Sequence, residues 1–231
     1  MIRRPPRSTL DRSSAASDVY KRQIQDYATK RIITFGSRPY VKNPQRKNHI
    51  YIDCHSEEGL ITRFVDWWTK NTPEVITGWN CEMYDIPYLM GRIERIMGEK
   101  YAKRMSPWGI CRRNEITIHG RPNIVYDIAG ISVIDYLDLY KKSPATPNQE
   151  SFKLDHIAMM ELGQKKLDHS EYDTFRDFYT KNWQKFVDYN IVDVELVDRL
   201  EDKLKLIDLC CTRAYDAKIN FTDVAFQVRT W

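Results

Sequence analysis

Apolar and polar residues fall in short blocks along this chain, and the period of the pattern changes from block to block. Arg31 to Phe35 is a short β-like run. A polar, proline-containing loop, 36 to 48, leads to a second such run, HIYIDC at 49–54. Ser56 then stands where a helix cap is expected, with Glu57 and Glu58 in the first turn, where negative charge complements the helix dipole. Leu60, Ile61, Phe64, Val65, Trp67 and Trp68 recur at helical spacing and predict a helix with a broad apolar face. Val75 to Gly78 predicts the next strand and Ile86 to Met97 the next helix, stopped by Gly98. Strands and helices alternating this closely predict a mixed α/β domain.

The middle of the chain switches period. EITIH at 115–119 and NIVYDI at 123–128 alternate about GRP at 120–122, which predicts a β-hairpin. ISVIDYLDLY at 131–140 predicts a strand running into a helix, followed by a loop, SPATPNQE at 143–150. From Phe152 the pattern is helical, most regularly from Asn182 to about Ala214. There are no internal repeats.

Residues 1–23, MIRRPPRSTLDRSSAASDVYKRQ, have no apolar periodicity and are dense in Arg and Ser. A targeting peptide would carry an amphipathic or apolar run, which is absent. The stretch resembles translated sequencing-adapter sequence, and the expectation is a non-native, disordered tail ahead of one domain at 24–231. This changes the charge argument. The whole chain is net +4, but the tail holds six basic and two acidic residues and supplies that entire excess. Residues 24–231 carry 30 of each, so basicity points to no nucleic-acid partner and any such partner must be argued from a site. The five cysteines form no C-x-x-C pair, which fits a reducing cytoplasm better than a disulfide or zinc framework. No run of ~18 apolar residues is present, so no membrane partner is expected.

Two stretches carry candidate chemistry. In TGWNCEMYDIPYL, 77–89, Asp85 sits where the carboxyl end of a strand turns into a helix. That is where ligands gather in α/β sheets, although an ordinary helix cap would also account for it. In DYNIVDVELVD, 188–198, Tyr189 and Asp193 are four residues apart and share one helix face, while Ile191, Val194 and Val197 point toward a core. A carboxylate there could bind a metal and the phenol could hold a metal-bound water. From that stretch alone, an amphipathic helix with ordinary surface carboxylates is the plainer reading.

Taken together, N-x-x-x-[F/Y]-D at a strand–helix junction and Y-x-x-x-D on a helix about a hundred residues later resemble the second and third motifs of the proofreading 3′–5′ exonuclease domain of family B DNA polymerases. The words RMSPWG, GISVIDYLDLYKK and FVDYNIVDVELVDRL are similar to the replicative polymerases of tailed phages. The resemblance covers about 24–231. It implies a ribonuclease-H-like fold and a site for two Mg²⁺ or Mn²⁺ ions. By position, Asp85 would ligate the metal on the leaving-group side, Asp193 the other metal, and Tyr189 would orient the attacking water. Asn80 would contact the frayed 3′ end, Trp79 or Tyr84 would offer an aromatic face, and Lys166, or else Lys165, would assist the leaving oxygen. The hairpin would help part primer from template. The partners implied are the single-stranded 3′ end of a primer, the polymerase domain of the same protein and a sliding clamp, in the cytoplasm of a phage-infected bacterium.

The first motif of the family, a D-x-E on its first strand, is absent upstream of Asn80. Between the tail and the helix that begins at residue 57 the acidic residues are Asp26 and Asp53, and neither has a Glu two residues on. The expectation is a fragment that lacks that motif and the polymerase domain, and that by itself neither polymerises nor degrades DNA efficiently. The alternatives are a stand-alone exonuclease of the same superfamily and a non-catalytic nucleic-acid-binding module of the same fold.

Overall fold

The computed structural model describes residues 21–118, 120–144, 146–164 and 174–225. In chain order they form β1 (Lys21–Gln25), β2 (Ile32–Gly36), β3 (His49–Asp53), α1 (Glu57–Lys70), β4 (Val75–Gly78), α2 (Asp85–Met97), α3 (Glu99–Ala102) and a 3-10 turn at Lys103–Met105. There follow β5 (Cys111–Ile118), β6 (Arg121–Ile128), β7 (Ser132–Asp135), α4 (Tyr136–Lys142), α5 (Leu154–Leu162), α6 (Phe175–Lys181), α7 (Trp183–Leu204), α8 (Leu206–Ala217) and α9 (Phe221–Ala225). The expected mixture of strands and helices is what forms. The chain divides into two compact units, residues 21–64 with 174–194, and residues 65–164 with 195–225.

In the first unit, β2 is the central strand of three. It runs antiparallel to β1 (Lys21 opposite Gly36) and parallel to β3 (Ile32 opposite His49). All five of its positions are buried, as expected for the apolar run IITFG. Thr34 is tolerated there because its hydroxyl pairs with His49 Nε2 at 3.0 Å. Lys21, Arg22 and Gln23, expected in the tail, are instead the first three residues of β1. Backbone pairing with a buried strand does not require apolar side chains, and Lys21 shelters its stem while its ammonium lies 5.1 Å from the centre of the Phe186 ring. The rest of that tail lies outside the described residues.

The core of this unit gathers Ile32 with Phe178, Tyr179, Trp183, Phe186, Val187, Tyr189 and Ile191 from α6 and the first half of α7. The loop after β2 is strapped to the same helix. The Gln184 amide accepts from Val41 N (3.1 Å) and donates to Val41 O (2.8 Å), and Tyr40 donates to Asp188 Oδ1 (2.8 Å).

In the second unit, β4 and β7 pair in parallel, from Val75 opposite Ser132 to Gly78 opposite Asp135. β5 and β6 form the expected hairpin, longer than the sequence suggests, with Cys111 opposite Ile128 and Ile118 opposite Arg121. Met90 and Ile93 of α2, Ile134 of β7, and Tyr136 and Tyr140 of α4 are fully buried. The long helix expected from 182 to 214 is two helices. Lys205 adopts a left-handed φ of 53° and ends α7. Glu201 of α7, itself buried, then accepts from Ile207 N (3.1 Å) and Asp208 N (3.2 Å), so it satisfies two of the orphan donors that open α8. Apolar periodicity continues through the break, which is why the sequence hides it. Among the described residues no helix is long and apolar enough to cross a membrane.

Candidate active site

Each half of the expected site is built by a different unit. In the second unit, β4 delivers the chain to Gly78, where a Cβ would come within 2.9 Å of Cys81 Cβ, so the turn folds tightly back on the strand end. Asn80 takes a left-handed φ of 64°, a conformation that asparagine tolerates better than most residues. One helical turn then forms, with Tyr84 N donating to Asn80 O (3.1 Å) and Ile86 N to Cys81 O (3.0 Å).

Asp85 is the first residue of α2. The cap position is held by Tyr84, whose side chain makes no capping hydrogen bond. The expectation that Asp85 is the cap is therefore corrected. Asp85 is exposed in the first turn, where the helix dipole favours negative charge. Asn80 and Tyr84 are half-buried in the same turn. Trp79 is a packing residue. Its indole N–H donates to Phe152 O (3.0 Å), and its ring lies 6.3 Å from Tyr136 and 6.0 Å from Tyr140.

What holds this turn is a residue that the sequence reading missed. Asp135, at the end of β7 and only 5% exposed, accepts from Asn80 N (2.9 Å) and Leu137 N (3.0 Å) through Oδ1, and from Glu82 N (3.1 Å) through Oδ2. The one carboxylate caps α4 and clamps the 80–82 turn. Burial pushes its pKa up, against the three amides that pull it down. Burial also raises Glu82, with the Asp135 charge adding to it, and raises the enclosed Cys81 thiol. The available signal was VIDYL, a second Asp at a strand–helix junction like that of Asp85.

In the first unit, α7 carries Tyr189 and Asp193 one turn apart. Tyr189 is buried, with its ring edge-on to Phe178 at 5.7 Å. Asp193 is half-buried. Lys165 and Lys166 lie outside the described residues.

The donors fit a hard divalent cation in kind, since Asp85 and Asp193 offer carboxylate oxygens. They fall short in number. Two ions would bring a charge of about +4 against two carboxylates, and among the described residues no three His, Cys, Asp or Glu side chains gather into a metal site. The described residues do not make up a two-ion centre.

Residues 11–157 match the family model for the exonuclease domain of DNA polymerase family B. That span takes in β1 through the first turn of α5, including Asn80, Tyr84, Asp85 and Asp135. The chain belongs to this family. Among the relatives of these family B exonuclease domains is the DNA-directed DNA polymerase of Escherichia phage RB69, 39% identical over 184 residues, which are 79% of this chain and 20% of that protein. The DNA-directed DNA polymerase of Enterobacteria phage T4 is 35% identical over 182 residues, again 79% of this chain and 20% of the relative. A DNA polymerase of Autographa californica nuclear polyhedrosis virus is 28% identical over 156 residues, 66% of the chain and 16% of the relative. The chain thus spans about a fifth of the phage polymerases it matches.

Proposed function

We propose that this family B exonuclease domain serves a DNA-directed DNA polymerase by removing mismatched nucleotides from a primer 3′ end, on a ribonuclease-H-like fold. The observation that carries this reading is the turn at 79–85, which ends a parallel strand, is clamped by a buried aspartate and presents Asp85 at the first residue of a helix. Asn80 and Tyr84, in that turn, would bind the frayed strand, Tyr84 through its ring. Asp85 and Asp193 would each offer oxygens to Mg²⁺ or Mn²⁺, which in exonucleases of this family supplies a nucleophile at neutral pH and a charge clamp on the leaving oxygen. Tyr189, fixed by its packing on Phe178, would orient the attacking water. Lys166 or Lys165 would neutralise the departing oxygen. The hairpin of β5 and β6 would part primer from template, and the polymerase domain and a sliding clamp would act with it in the cytoplasm of an infected bacterium.

For the chain by itself, the scarcity of carboxylates favours binding over efficient hydrolysis. Millimolar Mn²⁺ is expected to raise the melting temperature of the 231-residue chain by a few degrees, because any ion that binds only the folded state stabilises it by mass action. Asp85→Ala is expected to remove that shift. Rapid, Mg²⁺-dependent release of nucleotides from a mismatched 3′ end, lost in Asp85→Ala, would falsify the expectation of weak hydrolysis while supporting the assignment of the site. No Mn²⁺ shift and no binding of a frayed 3′ end would sink the assignment itself.

A further inference from the structure

Trp108, in the loop before β5, is 71% exposed. Indoles are usually mostly buried, so one held out in water needs a reason. The loop that carries it is tied down on both sides. The buried Ser106 hydroxyl donates to Ala129 O (2.7 Å) and accepts from Trp108 N (3.1 Å), and the Trp68 indole donates to Met105 O (2.8 Å). Gly130, at a φ of 89°, lies so close to the loop that a Cβ there would meet Pro107 Cγ at 2.6 Å. The ring is therefore presented on a fixed support.

Beside it is a pocket of about 370 Å³ whose lining includes Lys100, Lys103, Arg104, Pro107 and Gly109. The last two are the residues flanking Trp108 in the chain. Lys103 pairs with Glu99 at 2.9 Å and Arg104 with Asp66 at 2.7 Å. Both are solvent-exposed pairs of the kind that exchange partners at little cost; the Arg104 guanidinium also lies over the Tyr101 ring at 4.6 Å, and its fork has more N–H groups than the Asp66 contact uses. All of these residues belong to the second unit, and none of them is in the 79–85 turn.

Three cations lining one concavity, next to an exposed aromatic ring carried on an anchored loop, is the combination by which proteins hold a single strand: charge for the phosphates and a ring for the bases. We propose that this face of the second unit is a separate binding site for single-stranded nucleic acid, with Trp108 stacking a base and Lys100, Lys103 and Arg104 receiving the adjacent phosphates. A duplex, whose base faces are already stacked, is the wrong ligand for it. The site is independent of the proposed hydrolytic role and requires no metal.

The test uses the full chain, in EDTA, titrated with oligothymidylate of about twelve nucleotides and followed by intrinsic tryptophan fluorescence and by anisotropy of a labelled strand. Binding should quench part of the tryptophan emission. Trp108→Ala should weaken binding about tenfold and remove that part of the quench. Lys100→Ala with Lys103→Ala should flatten the slope of log affinity against log salt by about 1.4, the value for two lost phosphate contacts on a single strand. Circular dichroism melting should show each variant folded as the wild type is. The proposal fails if oligothymidylate does not bind, if Trp108→Ala binds as the wild type does, if the salt slope does not change, or if duplex of the same length competes equally.

Discussion

The turn at 79–85 and the helical turn at 189–193 both present an aspartate that follows a tyrosine, and they are built by different means. On α7 the spacing comes from the helix itself, since residues four apart share a face, and an aromatic cluster around Phe178 and Phe186 fixes the helix. At 79–85 no regular element supplies the geometry. A left-handed Asn80, a glycine pressed against Cys81 and a buried carboxylate from a strand 55 residues later hold it together. A site half made of periodic structure tolerates substitution around it. A site half made of a clamped turn depends on its clamp.

The largest effect expected from that difference is in Asp135→Ala. It strands two turn amides and one helix-start amide, each costing roughly 1–3 kcal/mol where it cannot reach water. A loss on the order of 3–5 kcal/mol is expected by urea denaturation. If the cost is no greater than that of removing an ordinary helix cap, about 1 kcal/mol, the clamp is not what holds the turn.

Next in size is a pH effect that runs in opposite directions in the two units. His49, fully buried in β3, has its pKa lowered to about 4, first by burial and then by the Lys42 and Arg46 charges. The unfolded chain takes up a proton near 6.5 and the folded chain does not. The His49 contribution is therefore complete above about 6.5 and is lost as pH falls toward 4. Between pH 7 and pH 5 the wild type should lose about 2 kcal/mol more than His49→Gln. Glu82 and Asp135, whose pKa values are raised, act the other way. Their contribution is present below the ordinary carboxylate pKa and is lost as pH rises through the raised one, so mild acid should strengthen the clamped turn. Equal acid sensitivity of wild type and His49→Gln would remove the contrast. The smallest expected effect is in Gln184→Ala, which cuts both hydrogen bonds to Val41 at an exposed strap and should cost about 1 kcal/mol.

The same contrast explains what the sequence made legible. Periodic segments were readable: the strand at 49–53, the helix opened by Ser56, whose hydroxyl accepts from Gly59 N at 3.0 Å, and the Tyr189–Asp193 spacing. The Asn80–Asp85 turn was readable as a motif, but its support was not. Nothing local in VIDYL says that its aspartate reaches across to residues 80 and 82, because the contact exists only once β4 and β7 are paired. The break at Lys205 was hidden for a related reason. A positive φ at a lysine is a property of the fold around it, and the carboxylate that compensates for it comes from the previous turn of helix.

That corner between α7 and α8 has a consequence for motion. Because Glu201 is buried in one helix and bonded to the first amides of the next, α8 cannot fray from its start without leaving a carboxylate enclosed and without partners for both oxygens. The amides of Ile207 and Asp208 should therefore exchange with solvent deuterium at the slow rate of the end of α7. The two helices would then open as one cooperative segment across a bend that, from its backbone angles alone, looks like a hinge.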